Sequence, residues 1–582
     1  MRIFSHLSAL AILLASGAAT IVPVTQAALA QAPASAANFD PARLDAHVKT
    51  LSSDEYEGRG PATPGEQKTV AYLVQQLQAA GVEPGGETVN GQRQWTQRVP
   101  LLKSDIVGTP TVTLHRGTAT TALRQGPDVA IRSPLNGQTS INLINVPMVF
   151  VGYGVNAPER GWDDFKGQDV KGKVIVVLVN DPDYEGGEGQ FGGKAMTYYG
   201  RWTYKYEEAA RRGAAGVIVV HETAPASYGW ATVENSNTNT MFDIVRQNPA
   251  ADHAPVNGWI QLDHARALFK AAGQDFDAAK AAAKRKDFQP IDLKTGLSVA
   301  LNAKTEVITS YNVAGRLTGS TRPDETVIYS AHHDHLGIGQ PDASGDRIFN
   351  GAIDNATGTA HMLEQARVFA AGPRPQRSIL FLFVAAEEKG LLGSEYYAAN
   401  PLYPLGKTAG VINTDSMGIY GPARNFSISG LVKLDLLDQL IAEGKKQDRY
   451  FTPDPRPEAG GFFRSDHFPF SKQGVPAISF RSGNDLVEGG VERGNALSAD
   501  YTAKRYHQPD DEWQPGWNYS GIVQDAQLLH SLGSSLANSD AWPNWSQDSE
   551  FRAARDATAG ERGGAAPAPA PTEQPATPGE RG

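Results

Sequence analysis

The feature that most constrains this chain is a set of nearly continuous apolar runs: Val327–Ala331 (VIYSA), Ser378–Ala386 (SILFLFVAA) and Ala409–Asn413 (AGVIN). A strand with one wet face alternates apolar and polar residues, whereas a strand covered on both faces does not. Runs this short, bounded by polar turns, suit strands rather than helices. Val475–Phe480 (VPAISF) is a fourth candidate, with Pro476 tolerable because it falls at the strand's start. Helical stretches, including Gly358–Ala371 and Leu431–Lys446, lie between them. The pattern predicts an α/β fold built on a mixed, mostly parallel sheet with helices on both faces. No internal repeat of fixed period interrupts it.

The flanking regions read differently. Phe39–Leu101 is expected to be largely helical: Asp40-Pro41 supplies an N-cap and first-turn proline, and Val70–Ala80 carries apolar residues at helical spacing before Gly81. Between about 105 and 295, short β-rich runs such as Pro147–Val155 and Lys173–Val179 sit among Gly- and Asp-rich turns. Within that region a helix over Tyr204–Arg212 precedes a strand over Ala214–Val220. The Asp181-Pro182-Asp183 turn lacks calcium-ligand spacing and is expected to be solvated. Phe191–Trp202, rich in glycine and tyrosine, is a candidate lid.

At the N-terminus, Arg2, the apolar core Leu7–Gly17 and the small residues Ala28-Leu29-Ala30 have the order of a secretory signal. The chain is therefore expected to be exported, periplasmic or secreted, with no stable membrane insertion after cleavage. The competing reading is an uncleaved anchor, because Leu7–Val24 carries no charge. The expected division is a signal at 1–30, one part of the main domain at 31–104, an insert at 105–295 with its core at about 140–285, the remainder of the main domain at 296–552, and a disordered Ala/Pro/Gly-rich tail at 553–582.

Composition narrows the chemistry. The chain has no cysteine, which removes disulfides, thiol nucleophiles and Cys-based metal sites. Its formal net charge of −10 argues against a nucleic acid as partner. What remains is concentrated at the ends of the apolar runs. Val327–Ala331 leads into His332-His333-Asp334-His335, Ser378–Ala386 into Glu387-Glu388, and Ala409–Asn413 into Thr414-Asp415. Ligands of open α/β sheets bind beyond the carboxyl ends of strands, so these groups are placed to converge. Carboxylates crowded on one rim need protons or a cation to persist, and a His-plus-carboxylate set suits a divalent metal, zinc above all.

The order of further motifs makes a resemblance plain. AHHDHLG, NGAIDNATG, FVAAEEKGLLGSEYY, INTDSMG, RSDHFPF and YHQPDDEW, preceded by Glu57-Gly58-Arg59-Gly60, resemble the co-catalytic dizinc aminopeptidases of metallopeptidase family twenty-eight. The likeness covers about 40–105 and 300–540, and the region around 140–285 resembles a protease-associated domain. The resemblance implies two zinc ions per chain, one held by His332 and Asp415, the other by Glu388 and His507, with Asp354 bridging. It implies Glu387 as general base, Asp334 as the hydrogen-bond partner that orients the His332 imidazole, and Tyr506 and Arg464 as groups that polarise the scissile carbonyl and stabilise the oxyanion. His333 is expected as wall, and His335 and His467 as rim or structural residues.

The implied activity is release of N-terminal residues from peptides. A carboxypeptidase or dipeptidase of the glutamate-carboxypeptidase type would use the same ligands. A non-catalytic, receptor-like binding protein is the alternative from another class. No His-Glu-x-x-His helix, Gly-x-Ser-x-Gly elbow or phosphate loop is present to suggest other chemistry.

Overall fold

The computed structural model describes residues 38–562, so the signal at 1–30 and the tail beyond 562 lie outside the described residues. Six strands organise the site: β1 (Thr96–Arg116), β2 (Ile291–Leu317), β3 (Arg322–His332), β4 (Arg377–Val384), β5 (Thr408–Thr414) and β6 (Ala477–Ser482). β3 pairs in parallel with β4 and β5, and β5 with β6, while β2 joins β4 antiparallel. Alternate residues of these strands enter two separate cores. Val327, Tyr329, Ile379, Phe381 and Ile412 pack on one face, and Ile328, Leu380, Leu382 and Val411 on the other. Both faces are dry, which is why the runs do not alternate in polarity.

Helices supply the covers. α1 (Pro41–Leu51), α2 (Pro64–Ala80), α3 (Gly358–Ala371) and α6 (Ser520–Asn538) contribute Leu44, Leu73, Phe369 and Leu529 to the first core. α4 (Leu392–Ala399) and α5 (His467–Lys472) contribute Tyr397 and Phe470 to the second. The Asp40 carboxylate caps α1 by accepting from Ala42 N, and α2 ends at Gly81, whose φ of 81° only glycine adopts without cost.

Past Gly81 the expected helical character gives way to strands. From Thr96 onward Gln97, Val99 and Leu101 are buried while Arg98 is exposed, a period of two that the β1 pairing with β2 exploits. Cross-strand packing decides here against a helix.

The region around 140–285 has its own parallel strands, Ser140–Phe150, Val174–Leu178, Gly216–His221 and Val256–Gln261, with two cores on their opposite faces. It is not strung on linkers. β1 and β2 pair from Thr96–Val313 to His115–Gly296, and β2 also pairs with β4 and with Ser140–Phe150, so one sheet runs through both regions. The boundaries expected near 105 and 295 fall inside these two strands.

Two further expectations are revised. The Asp181-Pro182-Asp183 turn is buried rather than solvated. Asp183 accepts from Gly189, Phe191 and Gly193 N–H groups, and Asp181 from the Thr197 N–H and hydroxyl, so the pair organises the loop that follows. The chain also stays folded past 552. Arg552–Ala557 is helical, and buried Arg555 donates to Thr408 O at 3.0 Å. No helix among the described residues is long and apolar enough to cross a membrane.

Candidate metal centre

Three parallel strands deliver their ends to one rim. β3 finishes on His332, β4 stops shortly before Glu387-Glu388, and β5 stops immediately before Asp415. Asp354 arrives from the segment between β3 and α3, and His507 from the loop before α6. His332 Nε2 lies 3.2 Å from Asp354 Oδ1 and 3.3 Å from Asp415 Oδ1. His507 Nε2 lies 3.2 Å from both Asp354 Oδ2 and Glu388 Oε2. Each Asp354 oxygen thus faces a different cluster, the arrangement a bridging carboxylate needs.

The surroundings fit cations. Glu388 Oε1 and both nitrogens of buried His335 have no hydrogen-bond partner, although His335 Nδ1 is only 2.7 Å from Glu388 Oε1. Buried polar atoms left unpaired are costly, and a metal is what such lone pairs accommodate. Among the described residues, two groups have ligand atoms close enough for one ion each: His332, Asp354 and Asp415, and His335, Asp354 and Glu388. His335 therefore stands nearer the second position than its expected rim role. The His-x-Asp-His spacing was the only sequence signal for it.

Electrostatics set Glu387 apart from Asp354. Burial, reinforced by Glu388, Asp415 and Asp466 and opposed by His332, holds the Glu387 carboxyl well above the usual range. Burial would raise Asp354 as well, but hydrogen bonds with His332 and His507 outweigh it and keep it well below. The two neighbouring carboxyls thus differ in proton affinity, Glu387 holding a proton more tightly than usual and Asp354 less.

Asp334 does something other than expected. Its carboxylate is 3.8 Å from His332 Nδ1, which instead sits 3.2 Å from the Asp334 carbonyl. The carboxylate accepts from Glu387 N at 3.0 Å and Glu388 N at 3.4 Å, so it shapes the turn that presents both glutamates. Burial lifts its pKa to about 6.

Other supports lie within the quoted motifs, although the sequence alone assigned them no role. Asp511 accepts from Ile353 and Asp354 N–H groups at 3.1 Å, fixing the bridging loop. Asn355 reaches the carbonyls of His332 and Thr414, tying β3 to β5. The Ser465 hydroxyl donates to Asp415 Oδ2 at 2.9 Å. Arg59 donates to the carbonyls of Leu51, His333, Asn350 and Gly351.

The remaining candidates divide. The Tyr506 ring is exposed at the rim and stacks on His507 with centroids 3.9 Å apart, and partial enclosure of its hydroxyl, then the Asp354 and Glu388 charges, raises its phenol above the usual range. Arg464 is not drawn to the carboxylates; it is exposed, with its guanidinium 5.8 Å from the ring centre of Tyr228 in the insert. His333 bonds Tyr311 O at 2.9 Å, and burial lowers its pKa to about 4, which suits a wall. His467 is buried edge-on to Phe462. The Phe191–Trp202 loop lies on the main domain beside this rim: Met196 N donates to Pro457 O, and Tyr198 packs on Phe463 and Phe468.

Fold and site together define a class: an α/β protein whose parallel strand ends gather a cluster of carboxylates and imidazoles with the donor set of a metal centre. Residues 312–530, which hold every expected ligand, match the model of peptidase family M28, the family that the motifs resemble. Aminopeptidase NAALADL1 of Mus musculus is 36% identical over 125 residues, covering 20% of this chain and 15% of the relative. Leupeptin-inactivating enzyme 1 of Streptomyces exfoliatus is 32% identical over 185 residues, covering 31% of this chain and 37% of the relative. The chain thus matches less than two thirds of either relative's length. Among solved structures, an aminopeptidase from Aneurinibacillus sp. strain AM-1 aligns over 86% of this chain and 95% of its own, with 19% identity and a TM-score of 0.47.

Proposed function

We propose that this chain is an exported, zinc-dependent aminopeptidase that hydrolyses the N-terminal peptide bond of peptides. The observation that carries the reading is the bridging geometry: Asp354 offers one oxygen to His332 and the other to His507, with unpaired Glu388 and His335 atoms at the second position. His332, Asp354 and Asp415 would hold one zinc ion, and Glu388, His507 and His335 together with Asp354 the other. When bound, the ions supply Lewis acidity, lowering the pKa of water toward about 7 and polarising the scissile carbonyl.

The chain's own groups perform the proton work. Glu387, free of metal duty and raised in proton affinity by its buried surroundings, takes a proton from the attacking water and returns it to the leaving amine. Asp334 holds the turn that aims it. Tyr506, beside His507, is the neutral donor available to the developing oxyanion. The signal-like N-terminus supports export.

The test is release of p-nitroaniline from leucine p-nitroanilide by zinc-loaded protein, with its N-acetyl form alongside. An aminopeptidase cleaves only the free-amine substrate and loses the activity to chelator. Cleavage of both, or of neither, overturns the reading.

A further inference from the structure

An open groove of about 520 Å³ lies where the start of α1 meets the loop that leads into α6. Pro41 and Asp45 line it from the helix, and Trp513, Pro515, Trp517 and Tyr519 from the loop. It lies apart from the metal ligands, none of which lines it. Trp513 is fixed by donating to Asp45 Oδ1 at 2.8 Å, and the Trp517 and Tyr519 ring centres stand 6.3 Å apart. Both tryptophans are half-buried, which leaves ring surface facing solvent. Among the described residues the Trp517 indole N–H meets no acceptor, and Lys49 pairs with no carboxylate. Each ring carries a cation: Lys49 Nζ is 4.4 Å from the Trp513 ring centre, and the Arg505 guanidinium 5.2 Å from that of Trp517.

Aromatic-lined grooves bind polyproline II segments, whose carbonyls make no bonds within their own chain and are free to accept from an indole N–H. With three residues per turn, prolines at i and i+3 fall on one face of such a segment. The chain has that pattern beyond Arg562: Pro575-Ala576-Thr577-Pro578, preceded by Pro567, Pro569 and Pro571. Between Pro567 and Pro578 the only charged residue is Glu573, opposite in sign to Lys49 and Arg505. The stretch 31–37 joins the chain closer to α1 but carries a single proline, Pro33, and no such pair.

The reach is sufficient. Arg562 sits at the C-terminal end of α6: its guanidinium is 6.0 Å from the Trp542 ring centre, and Trp542 in turn faces Arg377, which donates to Leu536 O. The groove, at Tyr519 and Ser520, is at the other end of that helix. Nineteen helical residues separate the two ends by about 28 Å. The sixteen residues from Arg562 to Pro578 span about 50 Å as polyproline II.

We infer that this groove is the docking site of the chain's own segment Pro567–Pro578, bound in cis as a polyproline II ligand with Pro575 and Pro578 against Trp513 and Trp517. The inference stands apart from the peptidase reading, and its test reads no activity.

Because the chain has no cysteine, Thr577→Cys in the full chain accepts a single bimane label, whose emission is quenched by contact with tryptophan. Docking predicts emission at least twofold lower than in the same labelled chain carrying Trp513→Leu and Trp517→Leu together. It predicts the same recovery in a labelled chain carrying Pro575→Ala and Pro578→Ala, which alter no residue of the groove or the cores. A tethered segment meets its groove at an effective concentration set by the linker, so the quenching should not change over a hundredfold dilution. Equal emission in all three chains overturns the docking. Quenching that survives the proline substitutions or the tryptophan substitutions overturns it as well. Quenching that fades on dilution assigns the groove to the segment of a second copy and overturns docking in cis.

Discussion

Arg59 offers the sharpest test of how the centre is held together. Its side chain is buried, and four carbonyls receive its protons: His333 O at 3.0 Å, Leu51 O at 2.8 Å, Asn350 O at 2.5 Å and Gly351 O at 2.8 Å. His333 adjoins the ligand His332, and Asn350-Gly351 leads into Asp354, so one guanidinium secures two ligand-bearing segments to α1. Arg59→Met keeps much of the volume and removes every donor. Each buried carbonyl left unmet costs about 1–3 kcal/mol, which sums to about 4–12 kcal/mol without relaxation. Local adjustment and water entry reduce this to about 3–5 kcal/mol, the usual cost of breaking a buried charged network. That is a large share of the roughly 5–15 kcal/mol that stabilises most folds. Urea unfolding of the chelator-treated protein, followed by tryptophan fluorescence, should show the midpoint falling accordingly, and the folded variant should bind zinc more weakly. A midpoint displaced by less than the equivalent of about 1 kcal/mol, with undiminished zinc content, would refute the idea that Arg59 clamps the site.

Three further outcomes follow from the same geometry. Glu387→Gln should retain its zinc while kcat falls by about 10²–10⁴-fold, the usual contribution of a general base; near-normal turnover removes Glu387 from that role. Asp354→Asn should lose at least one zinc ion by elemental analysis, because the bridging charge is gone, and full occupancy would contradict bridging. Glu66 is buried with its pKa raised from 4.5 to about 7, chiefly by burial. The folded state therefore keeps a proton that the unfolded chain releases, so this contribution to stability is fully present below pH 4.5 and lost as pH rises through 7. The total is about 3 kcal/mol, and Glu66→Gln should stand higher relative to the unaltered chain at pH 8 than at pH 4. A pH-independent difference between the two counts against it.

Much of the main domain was legible because its signals are local. Strands buried on both faces must be apolar throughout, so β3, β4 and β5 could be read from short windows, and α3 from its helical spacing. The motifs at their ends could be read for the same reason: a strand end fixes where the next few side chains go. The insert's boundaries could not be placed, since a composition change is expected in a loop whereas β1 and β2 carry it inside long strands. Asp181 and Asp183 looked like a solvated turn because nothing nearby in sequence says that Gly189, Phe191 and Thr197 will turn back onto them.

By itself, the sequence determined the class of fold, the absence of thiol chemistry and the residue types available to bind metal, all properties of composition and short-range pattern. Only the tertiary structure decided which groups meet. It set Asp334 beneath the glutamate turn rather than on His332, brought His335 to Glu388, fixed Asp354 through Asp511, and turned Arg464 toward Tyr228. Those contacts join residues far apart along the chain, and their geometry follows from strand register and loop closure, which no local pattern encodes.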